Sequence, residues 1–250
     1  MQLSQAREEQ AVAHISRKEL KKDEFRETLA QSAQAIVSHK RAVWLIGLIA
    51  VAAIASILGW RFYSERQAVK ASAALEDAMK HFQARIRAVG EPNVPDEISY
   101  VEEKNKYQDA AAKFSDVAQR YGRTRSGQVA CYYAGLSYFR LQMYDEAERW
   151  FQQAERTGDA ELAALARFQR AKIYERTGKP EEAVKLYQAL MANPATLLPK
   201  PVVMLELAQH YAQSNPEEAR RLYEQVRSEF PDTSAAQQAE QRLQLLNSGG

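Results

Sequence analysis

The side chains of this chain that could do chemistry are few and far apart. His14, His39, His81 and His210 form no H-x-x-x-H pair and lie near no cysteine, so the spacing that presents two imidazoles to a metal from one helical face is missing. Cys131 is the only cysteine, which rules out an internal disulfide, a zinc cluster and a C-x-x-C redox pair. It falls among apolar residues at helical spacing and reads as a packing residue. No Gly-rich phosphate loop and no G-x-S-x-G elbow occurs. The acidic pairs Glu181/Glu182 and Glu217/Glu218 each follow a proline, the position where carboxylates complement a helix N-terminus. These residues predict no enzyme: no catalytic site, no metal, no cofactor and no small-molecule substrate.

Charge narrows the binding classes. Before Ala42 there are 8 Lys/Arg and 6 Asp/Glu, between Ala42 and Trp60 there are none, and the rest of the chain balances 26 basic against 26 acidic residues. A neutral soluble part has no basic field to draw nucleic acid, so DNA or RNA binding is not expected.

The uncharged run Ala42 to Trp60, 19 residues, predicts a helix of roughly 28 Å, which matches a hydrocarbon core of about 30 Å. Trp44 and Trp60 sit near its ends, where indoles favour the interface, and Lys40, Arg41 and Arg61 close it. A cleaved signal peptide with Ala53-Ile54-Ala55 as the cleavage site competes with this reading. The 41 residues ahead of the run are too many for an ordinary signal peptide, and apolar character continues through Ile57, Leu58 and Trp60. The run therefore predicts an uncleaved anchor in the lipid bilayer.

Local charge does not orient it. Lys22, Arg26, Lys40 and Arg41 precede the span, and Arg61, Arg66, Lys70 and Lys80 follow it. The charge rule governs short loops, so the short tail is expected in the cytoplasm and the long part on the other side. Ser16-Arg17-Lys18-Glu19 is a capping-box pattern that starts a tail helix, with Leu29, Ala33, Ile36 and Val37 on one face. Its Arg17, Lys18, Lys21, Lys22 and Arg26 either meet anionic headgroups or form a solvated helix that only enforces topology.

Beyond the span, a small residue followed four later by an aromatic recurs at a fixed period. The phrases are YQDAAAKF, YDEAERWF, KPEEAVKLY and NPEEARRLY; Ala110, Ala147, Ala183 and Ala219 are 37, 36 and 36 residues apart, with Phe114, Phe151, Tyr187 and Tyr223 as partners. Two antiparallel helices approach closely only where a small side chain admits a bulky one, and each pair must bury its other face on the next.

This pattern resembles the tetratricopeptide repeat, W-x-x-L-G-x-x-Y, then A-x-x-x-F, then P. The second unit matches with Cys131, Ala134, Gly135 and Tyr138, then Tyr144, Ala147, Phe151 and Ala154, Cys131 replacing the leading Trp. The third carries Ala171, Tyr174, Gly178, Ala183 and Tyr187. The fourth carries Ala208, Tyr211, Ala219, Tyr223, Val226 and Pro231, and its turn is one residue short. The first keeps its second helix, Tyr107 to Tyr121, and an insertion with Gly90-Glu91-Pro92-Asn93-Val94-Pro95 separates it from a partner helix expected over roughly Arg66 to Val89. Ser234 to Leu246 reads as a capping helix, with Ala239, Leu243 and Leu246 inward. The predicted fold is all-α: one N-terminal transmembrane helix, then a solenoid of helix pairs closed by a cap. The expected divisions are a tail over 1–41, the span over 42–60, a juxtamembrane helix and insertion over 61–100, and repeats over 101–250.

The resemblance implies that function lies on the face formed by the first helix of each pair. In that register the second unit offers Tyr132, Leu136, Phe139 and Arg140, the third Phe168, Lys172, Glu175 and Arg176, and the fourth Leu205, Gln209 and Gln213. Such a face suits a peptide held by aromatic anchors and a few charges. Tyr132 and Phe139 equally fit a packing role against the insertion or the juxtamembrane helix. Tetratricopeptide domains that grip the acidic carboxyl terminus of cytosolic chaperones use Lys and Asn on this face; Tyr132 and Leu136 occupy two of those places, which disfavours that partner.

Tail, single span and C-terminal repeats ending near FPDTSAAQQAEQRL together resemble the bacterial YfgM-like family. That resemblance implies a bacterial inner-membrane protein with a cytoplasmic N-terminus and a periplasmic repeat domain. It implies, as partners, translocon subunits, a periplasmic chaperone or emerging polypeptides. A scaffold or assembly factor for a cell-envelope or division complex is the alternative.

An uncleaved anchor has a direct check in the intact mass of the membrane-extracted protein. The full chain is expected, and a species beginning at Ser56 would refute the anchor.

Overall fold

The computed structural model describes residues 40–92 and 94–248. The capping box at Ser16 to Glu19 and the tail helix expected through Val37 lie outside them. The chain divides into two units, the first ending at Tyr63 and the second starting at Ser64.

Helix α1 spans Lys40–Gln83. In the first unit its apolar residues from Trp44 to Trp60 are all exposed, and it is long and apolar enough to cross a membrane. A helix suits that medium because its backbone groups are satisfied within the segment. The one hydroxyl of the run, Ser56, donates to the Ala52 carbonyl at 2.7 Å and so leaves no unpaired polar group.

In the second unit α1 changes character. Ala71, Ala74 and Ala78 recur on one side with Leu75, Met79 and Phe82, and this stripe is the leading helix of the first pair. Its partner is α2, Glu103–Tyr121. Asp77 accepts from Lys113 at 2.6 Å, and Phe82 meets Tyr107 and Phe114 edge-on, which aligns the two helices antiparallel. The Lys113 ammonium holds the Asp77 carboxyl below its usual range. The remaining pairs are α3, Arg125–Arg140, with α4, Tyr144–Glu155; α5, Ala160–Arg176, with α6, Pro180–Ala192; and α7, Lys200–Ser214, with α8, Pro216–Glu229. Helix α9, Ser234–Ser248, follows as the cap, with Ala239 and Leu243 buried and Leu246 half-buried.

Helix starts follow local chemistry. The Thr124 hydroxyl accepts from Gly127 N–H at 3.1 Å, Asp159 from Leu162 N–H at 3.0 Å, and Asn215 from Glu218 N–H at 3.3 Å. Pro180 and Pro216 open α6 and α8 with both acidic pairs in the first turn. Asn215 both ends α7 and begins α8, which accounts for the short turn of the fourth unit.

The first leading helix is shorter than expected. It stops at Gln83 rather than near Val89, because Arg85–Ile86 leaves the helix as a two-residue strand, β1, paired in parallel with β2, Ser99–Tyr100. Two clamps hold the insertion. Arg85 binds Glu91 at 2.7 Å and Glu97 at 2.6 Å. Tyr100 contacts His81 Nδ1 at 2.5 Å and donates to Asp109 at 3.0 Å, so the loop is tied to both α1 and α2.

Every member of the periodic code is in the core: Ala110, Ala147, Ala183, Ala219, Phe114, Phe151 and Tyr187 are fully buried and Tyr223 is nearly so. Two buried clusters result, one over the first two pairs and one over the last two pairs and the cap. Helix α5 feeds both, giving Leu162, Ala166 and Ile173 to the first and Ala164, Phe168 and Ala171 to the second. Cys131 is packed in the first cluster, its thiol 3.4 Å from the Gly127 carbonyl and pushed up to about 11 by burial.

Gly135 and Gly127 are among the glycines that sit at close contacts. A Cβ on Gly135 would lie 2.7 Å from the Phe151 ring, and one on Gly127 would lie 1.9 Å from the Tyr121 carbonyl oxygen. Gly135→Leu is expected to destabilise the fold by about 2–4 kcal/mol through overpacking. Thermal melts of the detergent-solubilised chain test this, and an unchanged midpoint would contradict the α3–α4 packing.

Candidate protein-binding face

The leading helices α3, α5 and α7 bury their small residues, Ala134, Gly135, Ala171 and Ala208, against their partners. Side chains one or four positions away then point toward the neighbouring leading helices or to solvent. Contacts along this face accordingly join residues about one repeat apart. Gln169 reaches the Tyr132 hydroxyl at 3.5 Å, Lys172 pairs with Glu206 at 3.3 Å, and His210 Nδ1 meets Glu175 at 3.1 Å.

The candidate residues separate by burial. Tyr132 is half-buried, its ring 5.7 Å from Phe151 and edge-on to Tyr133 at 5.6 Å, and burial pushes its phenol above its ordinary range. Leu136 and Phe139 are also half-buried; Phe139 packs edge-on against Tyr144 at 5.7 Å. Phe168 is 8% exposed and edge-on to Tyr187, with the Lys172 ammonium 5.4 Å above the ring. It supports the face from beneath instead of offering a ring to a partner. Arg140, Arg176, Gln209 and Gln213 are exposed, and Leu205 is half-buried. The packing role weighed for Tyr132 and Phe139 is against the insertion or the juxtamembrane helix; their ring contacts are instead with Tyr133 of α3 and with Phe151 and Tyr144 of α4, and both residues stay partly exposed.

Lys172, Glu175, Glu206 and His210 make one polar patch across the α5–α7 seam. Burial pushes the Glu175 carboxyl up against the opposing pull of His210. Beneath it the Tyr187 hydroxyl is buried without a well-formed hydrogen bond, and burial together with the Glu175 and Glu206 charges pushes its pKa above the ordinary range, so the phenol stays protonated. Sequence reasoning named Lys172 and Glu175 but missed Glu206 and His210. The signal was available, since these partners lie 34 and 35 residues downstream, one repeat on.

A second network lies between α4 and α5. Arg170 binds Glu155 at 2.8 Å and Glu148 at 3.2 Å, and Tyr174 donates to Glu148 at 2.6 Å. Burial alone would push the Glu148 carboxyl up; hydrogen bonds from Tyr174, Arg170 and Gln152 outweigh it and leave it below its usual range. This network is structural, because each polar member already has partners.

At the far end of the face, Val202, Leu205, Gln209, Gln238 and Arg242 line a small cleft between α7 and α9. Among the described residues no group of three His, Cys, Asp or Glu is placed to hold a metal ion. What the face offers is aromatic edges, amides and paired charges, the chemistry of peptide contact.

Burial predicts how substitutions divide. Phe168→Ala is expected to cost about 3–5 kcal/mol, as for a core aromatic. Arg176→Gln, on an exposed side chain, should stay within about 0.5 kcal/mol. Chemical denaturation of both variants measures the difference, and equal stabilities would contradict the burial of Phe168.

A family model described as a tetratricopeptide repeat-like domain matches residues 37–194, and a second, described as a tetratricopeptide repeat, matches residues 203–233. No curated protein matches the chain. Among solved structures, similarity extends to the crystal structure of YrrB, described as a TPR protein with an unusual peptide-binding site. That match has 20% identity and a TM-score of 0.26, and covers 55% of this chain and 84% of that one. With the helix pairs, the buried Ala/aromatic code and a family match over more than half of its length, this chain belongs to the tetratricopeptide repeat-like family.

Proposed function

We propose that the protein is a membrane-anchored interaction module of the bacterial inner membrane, an ancillary component that meets translocon subunits, a periplasmic chaperone or emerging polypeptides. In this reading residues 1–41 are a cytoplasmic tail, 42–60 the span, 61–100 a juxtamembrane helix and insertion, and 101–250 a periplasmic repeat domain.

The observation that carries it is the combination in one chain of an exposed apolar helix able to span a bilayer and an array of four helix pairs. An anchor confines the array to a membrane surface and so raises its effective concentration toward other proteins of that membrane. Recognition falls to the open edges of Tyr132, Leu136 and Phe139, and to Arg140, Lys172, Glu175, Arg176 and Gln209, with Phe168 as the support beneath them. Each half-buried aromatic is already held by its neighbours, so a partner orders few side chains on binding.

Photo-crosslinkers at Arg176 and Gln209 of the full chain, activated in native membranes, test the reading. Capture of translocon subunits or a periplasmic chaperone is expected. Recovery of envelope or division proteins alone would favour the scaffold reading and reject this one. Protease added to spheroplasts should remove the region after Trp60, and digestion of the tail instead would reverse the topology.

A further inference from the structure

Carboxylates neutralise many cations on the surface of the second unit. Lys80, Arg85, Lys113, Arg120, Arg125 and Arg149 all pair with carboxylates, as do Arg167, Arg170, Lys172, Lys185, Lys200, Arg221 and Arg227. Two basic side chains without a carboxylate partner among the described residues line one cleft, Lys104 from the start of α2 and Arg140 from the end of α3, and Lys106 stands over the ring of Tyr107, which also lines it. The cleft is open, has a volume of about 530 Å³, and is completed by Leu141, Gln142 and Met143 of the α3–α4 turn.

Its parts are fixed by the fold. Tyr107 forms the floor, 8% exposed, with its ring edge-on to Phe82 at 5.6 Å. The Arg140 guanidinium stands 5.9 Å and the Lys106 ammonium 5.4 Å from the centre of that ring. Both cations are thus held over an aromatic face and not spent on a carboxylate. Gln142 has φ +59 in the turn, and the Met143 N–H bonds to the Tyr138 carbonyl at 2.9 Å, which leaves the Met143 side chain 47% exposed at the rim. Glu103 is the one carboxylate of the lining.

We propose that this cleft docks an acidic peptide segment of a partner protein. Its carboxylates sit between Lys104 and Arg140, and a neighbouring apolar side chain rests on Leu141 and Met143. Charge complementarity selects this occupant, because Lys104 and Arg140 outnumber Glu103 in the lining and an acidic segment supplies the missing counter-charge. The adaptable Met143 accepts apolar side chains of different shape. The site includes the start of a second helix, α2, and so lies apart from the α5–α7 patch. It rests on the reading of the chain as an interaction module and adds the chemistry of one partner segment.

The test uses the full chain in detergent and a fluorescent peptide, Glu-Leu-Glu-Phe-Asp-Leu, beside its counterpart with Gln and Asn replacing the acids. Anisotropy is expected to show the acidic peptide binding at least about tenfold more tightly. Raising salt from about 50 mM to about 500 mM should weaken it. Lys104→Gln with Arg140→Gln should lose about tenfold or more, Lys104→Arg with Arg140→Lys should retain binding, and Arg123→Gln, an exposed cation outside the cleft, should change nothing. Equal binding of both peptides, unchanged binding by a folded Lys104→Gln/Arg140→Gln variant, or displacement of the peptide by an equal concentration of inorganic phosphate would overturn the proposal. Loss of crosslinking from Arg176 and Gln209 with the titration intact would remove the partner assignment and leave this cleft standing.

Discussion

The structure depends on one steric constraint, an alanine that lets an aromatic ring through. Ala110, Ala147, Ala183 and Ala219 are completely buried, and Phe114, Phe151, Tyr187 and Tyr223, one turn later on the same helices, are buried with them. A larger residue at any of the four would force the helices of a pair apart and expose the face that the next pair covers. Gly135 takes this to its limit, since even a methyl group there would press into the Phe151 ring. Repeat stability is a sum of such internal contacts and the interfaces between neighbours, so an error in one unit is felt in the next.

Helix α5 shows what that coupling requires. It places apolar side chains in both buried clusters, Leu162, Ala166 and Ile173 on one side and Ala164, Phe168 and Ala171 on the other. A helix buried on two sides has little room for solvated charge, so its polar residues are drawn into networks. Arg170 and Tyr174 engage Glu148 and Glu155 of α4, and Lys172 and Glu175 engage Glu206 and His210 of α7. These partly buried networks do little for net stability, because desolvation opposes the attraction. Their effect is register, since a one-turn slip of either neighbour would leave charges unpaired.

The repeats were legible in the sequence because the same physical problem is solved four times at near-constant spacing. Helix starts were legible where Pro180, Pro216 and their acidic pairs announce them. The insertion was legible only as an interruption. Its parallel strand pair and the Arg85–Glu91–Glu97 clamp join residues with no periodic relation, so no pattern marked where α1 would end. At the candidate face the register placed Phe168 correctly on a leading helix, but solvent exposure depends on how closely Tyr187 approaches, which the register does not carry. The cleft around Tyr107 went unnoticed for a different reason: Lys104 and Arg140 are 36 residues apart, one repeat, but they stand at opposite ends of their helices, and only the antiparallel packing of α2 and α3 shows that they line one cleft.

The division between framework and surface also explains how such a chain can change partners without losing its fold. The framework uses positions that face the partner helix, and these tolerate only small or aromatic residues of matching shape. Positions such as Arg140, Arg176, Gln209 and Gln213 touch water and contribute little to folding, so substitution there alters charge and hydrogen bonding alone. Half-buried Tyr132 and Phe139 lie between the two regimes: each is braced by a neighbouring ring, the buried Phe151 and the half-buried Tyr144 respectively, and stays partly exposed. A partner using those side chains would find them already ordered, and in the proposed reading membrane anchoring removes part of the translational cost of meeting it. Affinity at such a face need not come from a large apolar patch, and a formally neutral, well-paired surface can remain soluble while holding a few sites ready for recognition.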